Sequence, residues 1–322
     1  MMALFKVDPK ADWNSDRIQI RIYRDYQGLN MGNTWWNNHY ESKMVSAETI
    51  CPNLHFLDIE TNPTINNVYT NDSAVDGSRF QYNSLEKTPI KLNFWLQYID
   101  YRDYIDKKHD IESYFSSKAG FVIQTNYHPA IHARCYVNKI EIKPTSTHDA
   151  IFTVTMDNAT GMWFSNNTRL LEEEFGKYVV RDLRMPKSAL KGGKPSWKLH
   201  PGENKIWIGG DCVIQFSNPV MKSDIYLYGC TSGVSIVNKT NNTSLVANNR
   251  KGYDTINGNY VWLGLDFGKV ISINPKNRKV TYHGVNFLSS STDFWLNPGW
   301  NTIELTNATS AYIDTSFYFS NF

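Results

Sequence analysis

The sequence predicts a mainly β protein with an α+β first domain, in which one helix covers a mostly antiparallel sheet, and a β-sandwich as second domain. Three observations support this. Residues 76–156 follow the order turn, strand, helix, strand, strand. After about residue 199 short apolar runs alternate with turn residues. Aromatic residues make up 14% of the chain and charged residues only 20%, a balance typical of β-rich proteins.

The first elements are a strand, a turn, a second strand and a helix. Ile18, Ile20 and Ile22 alternate with polar residues, which predicts a strand with one apolar face. Asp76-Gly77-Ser78 indicates a turn, and the alternation from Ile90 to Tyr98 predicts a second half-buried strand. The helix is predicted from the segment that follows.

Asp100 stands where a helix N-cap is expected, with Asp103 three residues later. Apolar residues then follow at roughly helical spacing as far as Phe115, and Gly120 is the predicted stop. Further strands are predicted at 121–123, 133–142 and 152–156, with a turn at 144–148.

A change in composition divides the chain. The segment 166–198 contains Glu172-Glu173-Glu174 and Lys191-Gly192-Gly193-Lys194-Pro195, which favours a linker. The basic run could contact phosphate, but its mixture with Gly and Pro is more typical of a solvated loop. The predicted domains are therefore 1–165 and 199–322, joined by the linker 166–198.

The second domain is predicted as a sandwich because short strands recur at regular spacing between residues such as Gly, Asn and Pro that favour turns. The predicted strands are Ile206 to Ile208, Val213 to Phe216, Ile225 to Tyr228, Val234 to Val237, Ser244 to Ala247, Tyr260 to Leu265, Val270 to Ile273, Val280 to Tyr282, Trp300 to Leu305 and Ala311 to Phe319.

The net charge, the N-terminal sequence and the spacing of the cysteines argue against several classes of function. The net charge of +2 is too small to indicate a nucleic-acid or anionic-membrane surface. The N-terminus lacks the features of a signal peptide and no long apolar run exists, so we expect synthesis in the cytosol and no membrane anchor. Cys51, Cys135, Cys212 and Cys230 are far apart, which favours reduced, buried thiols over a metal site or disulfides.

Three patterns could indicate chemistry, and each has a simpler interpretation. Gly229-Cys230-Thr231-Ser232-Gly233 approaches a nucleophile elbow but has Thr at its centre, so a turn is favoured. His128 and His132 are four residues apart, yet Pro129 argues against the helix that zinc binding would need. Asp106 and Asp110 fit a solvated helix face. The sequence thus predicts no catalytic, cofactor-binding or metal site.

Several segments together resemble one family. Asp76-Gly77-Ser78-Arg79, the strand 90–98, the helix opening Asp100-Tyr101-Arg102-Asp103-Tyr104 and the following strands are similar to the first domain of the distal tail (Dit) proteins of long-tailed phages. The segments 252–266, 284–287 and Leu296-Asn297-Pro298-Gly299-Trp300-Asn301 resemble that family's galectin-like second domain. Residues 1–71 match it least.

The resemblance implies a structural virion protein at the tail tip or baseplate, with no enzymatic activity. The first, belt domain is expected to form a homo-oligomeric ring, usually hexameric. That ring would join the major tail tube protein to a tail-associated lysin or tail fibre and to receptor-binding proteins. The tape-measure protein would pass through the lumen, and no sequence-specific nucleic-acid binding is implied. A strand edge left open in one copy could be completed by the next, and the strand from Ile18 to Tyr26 is a candidate.

A carbohydrate-binding module is the alternative. A galectin-like sandwich bearing Trp207, Trp262, Trp295 and Trp300 could stack indole rings on a host cell-wall saccharide. Core packing or a subunit contact is the competing interpretation for these tryptophans.

Overall fold

The structure is a computed structural model that forms two compact units, residues 1–163 with 320–322 and residues 164–319. The described residues are 17–25, 44–71, 76–173, 183, 185–216, 218, 221, 223–228, 234–247, 253–256, 259–263, 270–274, 279–283 and 294–320. The domain boundaries at 165 and 199 stay a prediction.

In its described residues the first unit contains nine strands and one long helix. They are β1 Ile20–Asp25, β2 Val45–Ser46, β3 Leu54–Thr61, β4 Ile65–Asn71, β5 Ser78–Leu85, β6 Thr88–Gln97, α1 Tyr101–Phe115, β7 Gly120–Thr125, β8 Ile131–Pro144 and β9 Asp149–Asn158. Seven of the strands form an antiparallel sheet in the order β2-β1-β7-β8-β9-β6-β3. The predicted α+β organisation of residues 76–156 is confirmed.

Helix α1 begins where the sequence indicated. Asp100 has an extended backbone, and its Oδ1 accepts a hydrogen bond from the Asp103 backbone N–H at 2.8 Å. In return, Oδ2 of Asp103 accepts one from the Ile99 backbone N–H at 2.8 Å. These bonds satisfy backbone donors that the helix itself leaves unpaired. The predicted N-cap is therefore confirmed.

An aromatic cluster fixes α1 to the sheet. Phe115, at the last turn of the helix, lies 5.7 Å from Phe121, 5.9 Å from Phe152 and 6.4 Å from Phe94 between ring centroids. All four rings are fully buried, and burying each one stabilises the fold by roughly 2 kcal/mol. The helix therefore covers the sheet at the crossing of β6, β7 and β9.

Strand β1 is not an open edge. Ile20 and Ile22 are buried as predicted, but β1 pairs with β7 along its length and with β2 at Arg21 and Ile22. This pairing could not be predicted from the sequence pattern, because β2 has only two residues and lies far from β1 along the chain. The expectation that this strand offers an open edge is wrong at those residues.

The second unit is almost wholly β. Its elements are β10 Trp163–Ser165, α2 Thr168–Glu173, β11 Lys198–Leu199, β12 Gly202–Ile208, β13 Ile214–Gln215, β14 Ser223–Tyr228, β15 Val234–Asn238, β16 Thr243–Ala247, β17 Tyr253–Ile256, β18 Asn259–Leu263, β19 Val270–Asn274, β20 Lys279–His283, β21 Trp295–Leu296, β22 Gly299–Thr306, β23 Ser310–Thr315 and β24 Tyr318–Phe319. A seven-stranded sheet runs β11-β23-β14-β20-β19-β18-β17, and a four-stranded sheet runs β12-β22-β15-β16.

The segment 166–198, predicted as a linker, contributes to the core of the second unit. Among its described residues six are buried, namely Thr168, Leu171, Leu183, Met185, Pro195 and Trp197. The Thr168 hydroxyl donates to the Ile313 carbonyl at 2.9 Å, and the Trp197 indole N–H donates to the Trp207 carbonyl at 2.8 Å. The sequence pattern did not indicate these buried residues, because they are widely spaced within a charged and Gly-rich segment.

The cysteines that the structure describes are free thiols. Cys51 and Cys135 are buried, as predicted, while Cys212 is half-buried. Burial raises the pKa of the Cys51 thiol to about 12 and also raises that of Cys135. Neither is thus a ready nucleophile at neutral pH. Cys230 lies outside the described residues.

We expect the start of α1 to lose stability in acid. A hydrogen bond from Lys107 Nζ, at 2.8 Å, and then the Ile99 N–H lower the pKa of Asp103 below its usual 3.8. A carboxyl whose pKa is lower in the folded state stabilises the fold above its unfolded pKa, and that stability is lost as the pH falls through the folded pKa. Asp103→Asn should cost about 1 kcal/mol near pH 6, and this cost should shrink between about pH 5 and pH 3.

Urea unfolding of the wild type and of Asp103→Asn, measured at several pH values across this range, gives the difference in the free energy of unfolding of the first unit. Asp106→Asn is the control because Asp106 is exposed on the same helix. A cost of Asp103→Asn that stays constant with pH would contradict the assignment.

Candidate interaction surfaces

Strands β4 and β5 form a hairpin that extends the β3–β6 pair beyond the main sheet. Thr61 pairs with Ile90, the Glu86 N–H then donates to the Thr64 carbonyl at 3.0 Å, and Ile65 pairs with Leu85. The turn at its tip includes Gly77, whose φ of 99° lies in the region that favours glycine. The predicted turn at 76–78 is thereby confirmed as the end of a hairpin.

A β-bulge gives this hairpin apolar side chains on both faces. Val68 pairs with Tyr82, whereas Tyr69 pairs with Phe80, so the register shifts between Val68 and Tyr69. Successive residues of β4 point to opposite faces. Phe80 and Tyr82 therefore lie on different faces, although a regular strand would place them on the same one.

The aromatic residues of the hairpin are exposed, and its edges carry little charge. Tyr69, Phe80 and Tyr82 are each more than 50% exposed, and the Tyr69 and Phe80 rings meet edge to face at 5.9 Å. Among the described strands, β4 and β5 pair only with each other, and Arg79 is their only charged residue. Isolated hairpins of this kind are marginally stable, and uncharged edges readily pair with other chains.

The sequence interpretation missed β3, β4 and β5. The signal for β4 and β5 was present, because 65–71 contains Ile, Val and Tyr and 78–85 contains Phe, Tyr and Leu, on either side of the predicted turn. The bulge broke the alternation that would have identified them.

A second exposed apolar patch lies at the start of α1. Ile99 is 77% exposed, Tyr101 75% and Ile105 41%, whereas Tyr104 and Ile111 on the other side of the helix are buried. The helical spacing of the apolar residues did not indicate which of them would be exposed and which buried. This patch, Ile99, Tyr101 and Ile105, is named the helix patch.

The residues considered above as catalytic or metal-binding are not arranged as such sites where the structure describes them. His128 lies in the turn between β7 and β8 and His132 is buried in β8, so no helix presents them together. Asp106 and Asp110 are exposed on α1. Among the described residues, no group of three His, Cys, Asp or Glu side chains could hold a metal ion. The segment Gly229–Gly233 lies outside the described residues, and the absence of a catalytic site stays a prediction.

The structure brings together two of the four tryptophans considered for saccharide binding. Trp207 on β12 pairs with Trp300 on β22, and the two rings meet edge to face at 5.6 Å. Trp295 is half-buried on β21, where its carbonyl accepts hydrogen bonds from Asn238 and Asn241. The side chain of Trp262 lies outside the described residues.

Two copies of one sequence motif support the Trp207–Trp300 pair. In Asn297-Pro298-Gly299-Trp300-Asn301, the Asn301 amide donates to the carbonyls of Asn297 and Gly299 and accepts from the Asn297 N–H at 3.0 Å. Asn204 makes the same three bonds within 200–204. Only the later copy was noted in the sequence, although Pro-Gly-x-Asn occurs in both. The copies begin two antiparallel strands that pair with each other.

Comparisons with known proteins agree with the first unit's architecture. Residues 48–158 match the family model described as the phage tail protein RIFT-related domain. The chain has the fold of the Dit protein of phage SPP1, with a TM-score of 0.53, 10% identity and coverage of 93% of this chain and 99% of that one. A chain from the activated phage P2 baseplate with calcium is less similar, with a TM-score of 0.34, 12% identity and coverage of 93% and 98%. No curated protein sequence matches.

Residues 48–158 are thus similar to the phage tail protein domains of the RIFT-related class. The family match and the fold together support the resemblance to siphophage distal tail (Dit) proteins. Among the described residues, no helix is long and apolar enough to cross a membrane.

Gly161 is expected to set the position of the hairpin base. Its φ is 65°, and a Cβ there would lie 2.2 Å from the Glu86 carbonyl oxygen, between β5 and β6. Gly161→Ala should therefore destabilise the first unit by more than about 2 kcal/mol. Gly77→Ala is the matched control, because Gly77 also has a positive φ but open space around it. Equal costs for both in urea unfolding would show that the contact with Glu86 is unimportant.

The two Pro-Gly-x-Asn turns should be needed for stability of the second unit. Asn301 is fully buried, so Asn301→Ala should cost about 2 kcal/mol by leaving backbone groups unpaired. Asn204→Ala should have a similar effect. Asn297→Ala is the control, because the turn uses the main chain of Asn297. Denaturant unfolding of the purified variants tests this, and a neutral Asn301→Ala would refute it.

Proposed function

We propose that the protein is the distal tail hub of a long-tailed phage and that its first unit closes with five other copies into a ring. The observation that carries this proposal is the β4–β5 hairpin, with exposed aromatic residues on both faces and two edges unpaired within the described chain. The phage tail family match of residues 48–158, which contain the hairpin, supports the proposal.

Ring closure needs two different complementary patches on each subunit, because a ring is built from head-to-tail contacts. The hairpin would be one patch and the helix patch of Ile99, Tyr101 and Ile105 the other. Both expose apolar side chains that a monomer leaves in water. A neighbouring copy would cover them and extend the hairpin edges by backbone pairing.

The proposed ring joins the tail tube protein to a tail-associated lysin or tail fibre and to receptor-binding proteins, with the tape-measure protein in its lumen. The second unit, proposed as galectin-like, would point outward. The Dit protein of phage SPP1 is described as a paradigm of the hub of the adsorption apparatus in phages infecting Gram-positive bacteria, and its fold supports this assignment. The hub acts through surfaces and carries out no reaction of its own.

The mass of the purified protein, measured by light scattering with negative-stain imaging, tests the ring. A hexamer of a 37.1 kDa chain has a mass of about 223 kDa. The double variant Tyr69→Ser with Phe80→Ser should be monomeric, because it removes the apolar contact of one hairpin face. Tyr127→Ser is the matched control, since Tyr127 is 48% exposed in the same unit but lies away from the hairpin strands.

Rings formed equally well by the double variant would exclude the hairpin from the interface. A wild-type protein that stays monomeric up to about 100 μM would contradict closure by the chain alone.

A further inference from the structure

The four-stranded sheet β12-β22-β15-β16 has an open face that the proposed ring does not use. Its rows across β12 and β22 are Trp207 with Trp300, Lys205 with Thr302, and Glu203 with Glu304. Asn204, Ile206, Asn301 and Ile303 alternate with these residues and are buried, so the sheet turns its other face to the core. Rows of the open face follow one another at about 7 Å.

The aromatic part of this face is exposed and held in place. Trp300 is 40% exposed, and the Trp207 and Trp300 rings meet edge to face at an interplanar angle of 79°. The Trp207 carbonyl is bonded to the Trp197 indole, and the adjoining Gly299 has a φ of 92° within its Pro-Gly-x-Asn turn. The two tryptophan rings are therefore held in position before any ligand binds, which reduces the entropic cost of binding.

The charged side chains next to the two tryptophans compensate one another. Lys239 forms ion pairs with Glu203 and with Glu304, the latter at 3.3 Å between Nζ and Oε2. Lys205 and Thr302 lie between this group and the tryptophans. The face thus offers hydrogen-bonding groups with little net charge beside one exposed indole. That combination favours a ligand that is uncharged, rich in hydroxyl groups and apolar on one side.

We propose that this face, centred on Trp300 and Trp207, binds an uncharged saccharide chain. A pyranose ring stacks its C–H side on an indole, and its hydroxyl groups can reach Lys205, Thr302 and the carboxylates of Glu203 and Glu304. A protein partner fits less well, because protein interfaces need a larger desolvated apolar centre than a single exposed ring.

The test uses the full chain and a panel of neutral oligosaccharides of glucose, galactose, N-acetylglucosamine and rhamnose. Isothermal titration up to about 10 mM sugar should give at least one dissociation constant of about 1 mM or lower. Trp300→Ala should weaken that binding about tenfold or more, and Trp300→Phe, which keeps an aromatic face, much less. Tyr127→Ser, in the first unit, should bind as the wild type does.

Three outcomes would overturn the proposal. They are the absence of binding across the panel, binding that Trp300→Ala leaves unchanged, and an affinity that falls more than about tenfold between low and high salt, which would indicate a charged ligand. Thermal unfolding of Trp300→Ala shows whether the variant is folded. The double variant at Tyr69 and Phe80 should retain sugar binding, so failure of the ring and failure of this site are distinguishable.

Discussion

The packing of Phe115 against Phe94, Phe121 and Phe152 is the contact on which the first unit depends. Phe94, Phe121 and Phe152 come from three different strands, so one side chain of α1 ties distant parts of the chain into one core. With the helix fixed by its buried side, Tyr101 in its first turn and Ile99 just before the N-cap remain in solvent. The core therefore also determines which apolar residues remain available to other molecules.

The hairpin is connected to the same core through strands β3 and β6. Strands β3 and β6 are anchored by buried residues such as Phe56 and Phe94, whose rings lie 5.3 Å apart. Beyond Thr61 and Thr88 the two strands leave the sheet and continue as β4 and β5, whose residues are nearly all exposed. A segment that buries so little of its own surface gains its stability from its base and from whatever it binds.

In the second unit the turns and strands hold exposed Trp300 and half-buried Trp207 in one place. Buried amides of Asn204 and Asn301 close two equivalent turns, and the paired strands β12 and β22 run between them. Fully satisfied amides of this kind fix local geometry strongly, because breaking any of their bonds leaves a buried polar group unpaired. The tryptophans therefore project from a rigid pair of strands.

The local elements could be predicted from the amino-acid sequence. The cap at Asp100, the alternation from Ile90 to Tyr98 and the turn at Gly77 depend on neighbouring residues, so their patterns were legible and resembled those of distal tail proteins. Features that depend on residues distant in the chain became clear only from the folded structure. It covered β1 with the short β2, placed residues of 166–198 in a core and, through one bulge, exposed Phe80 and Tyr82 on opposite faces. It also paired Trp207 with Trp300 across 93 residues of chain. Local patterns do not encode such contacts, because register and burial are set by segments that meet only when the chain has folded.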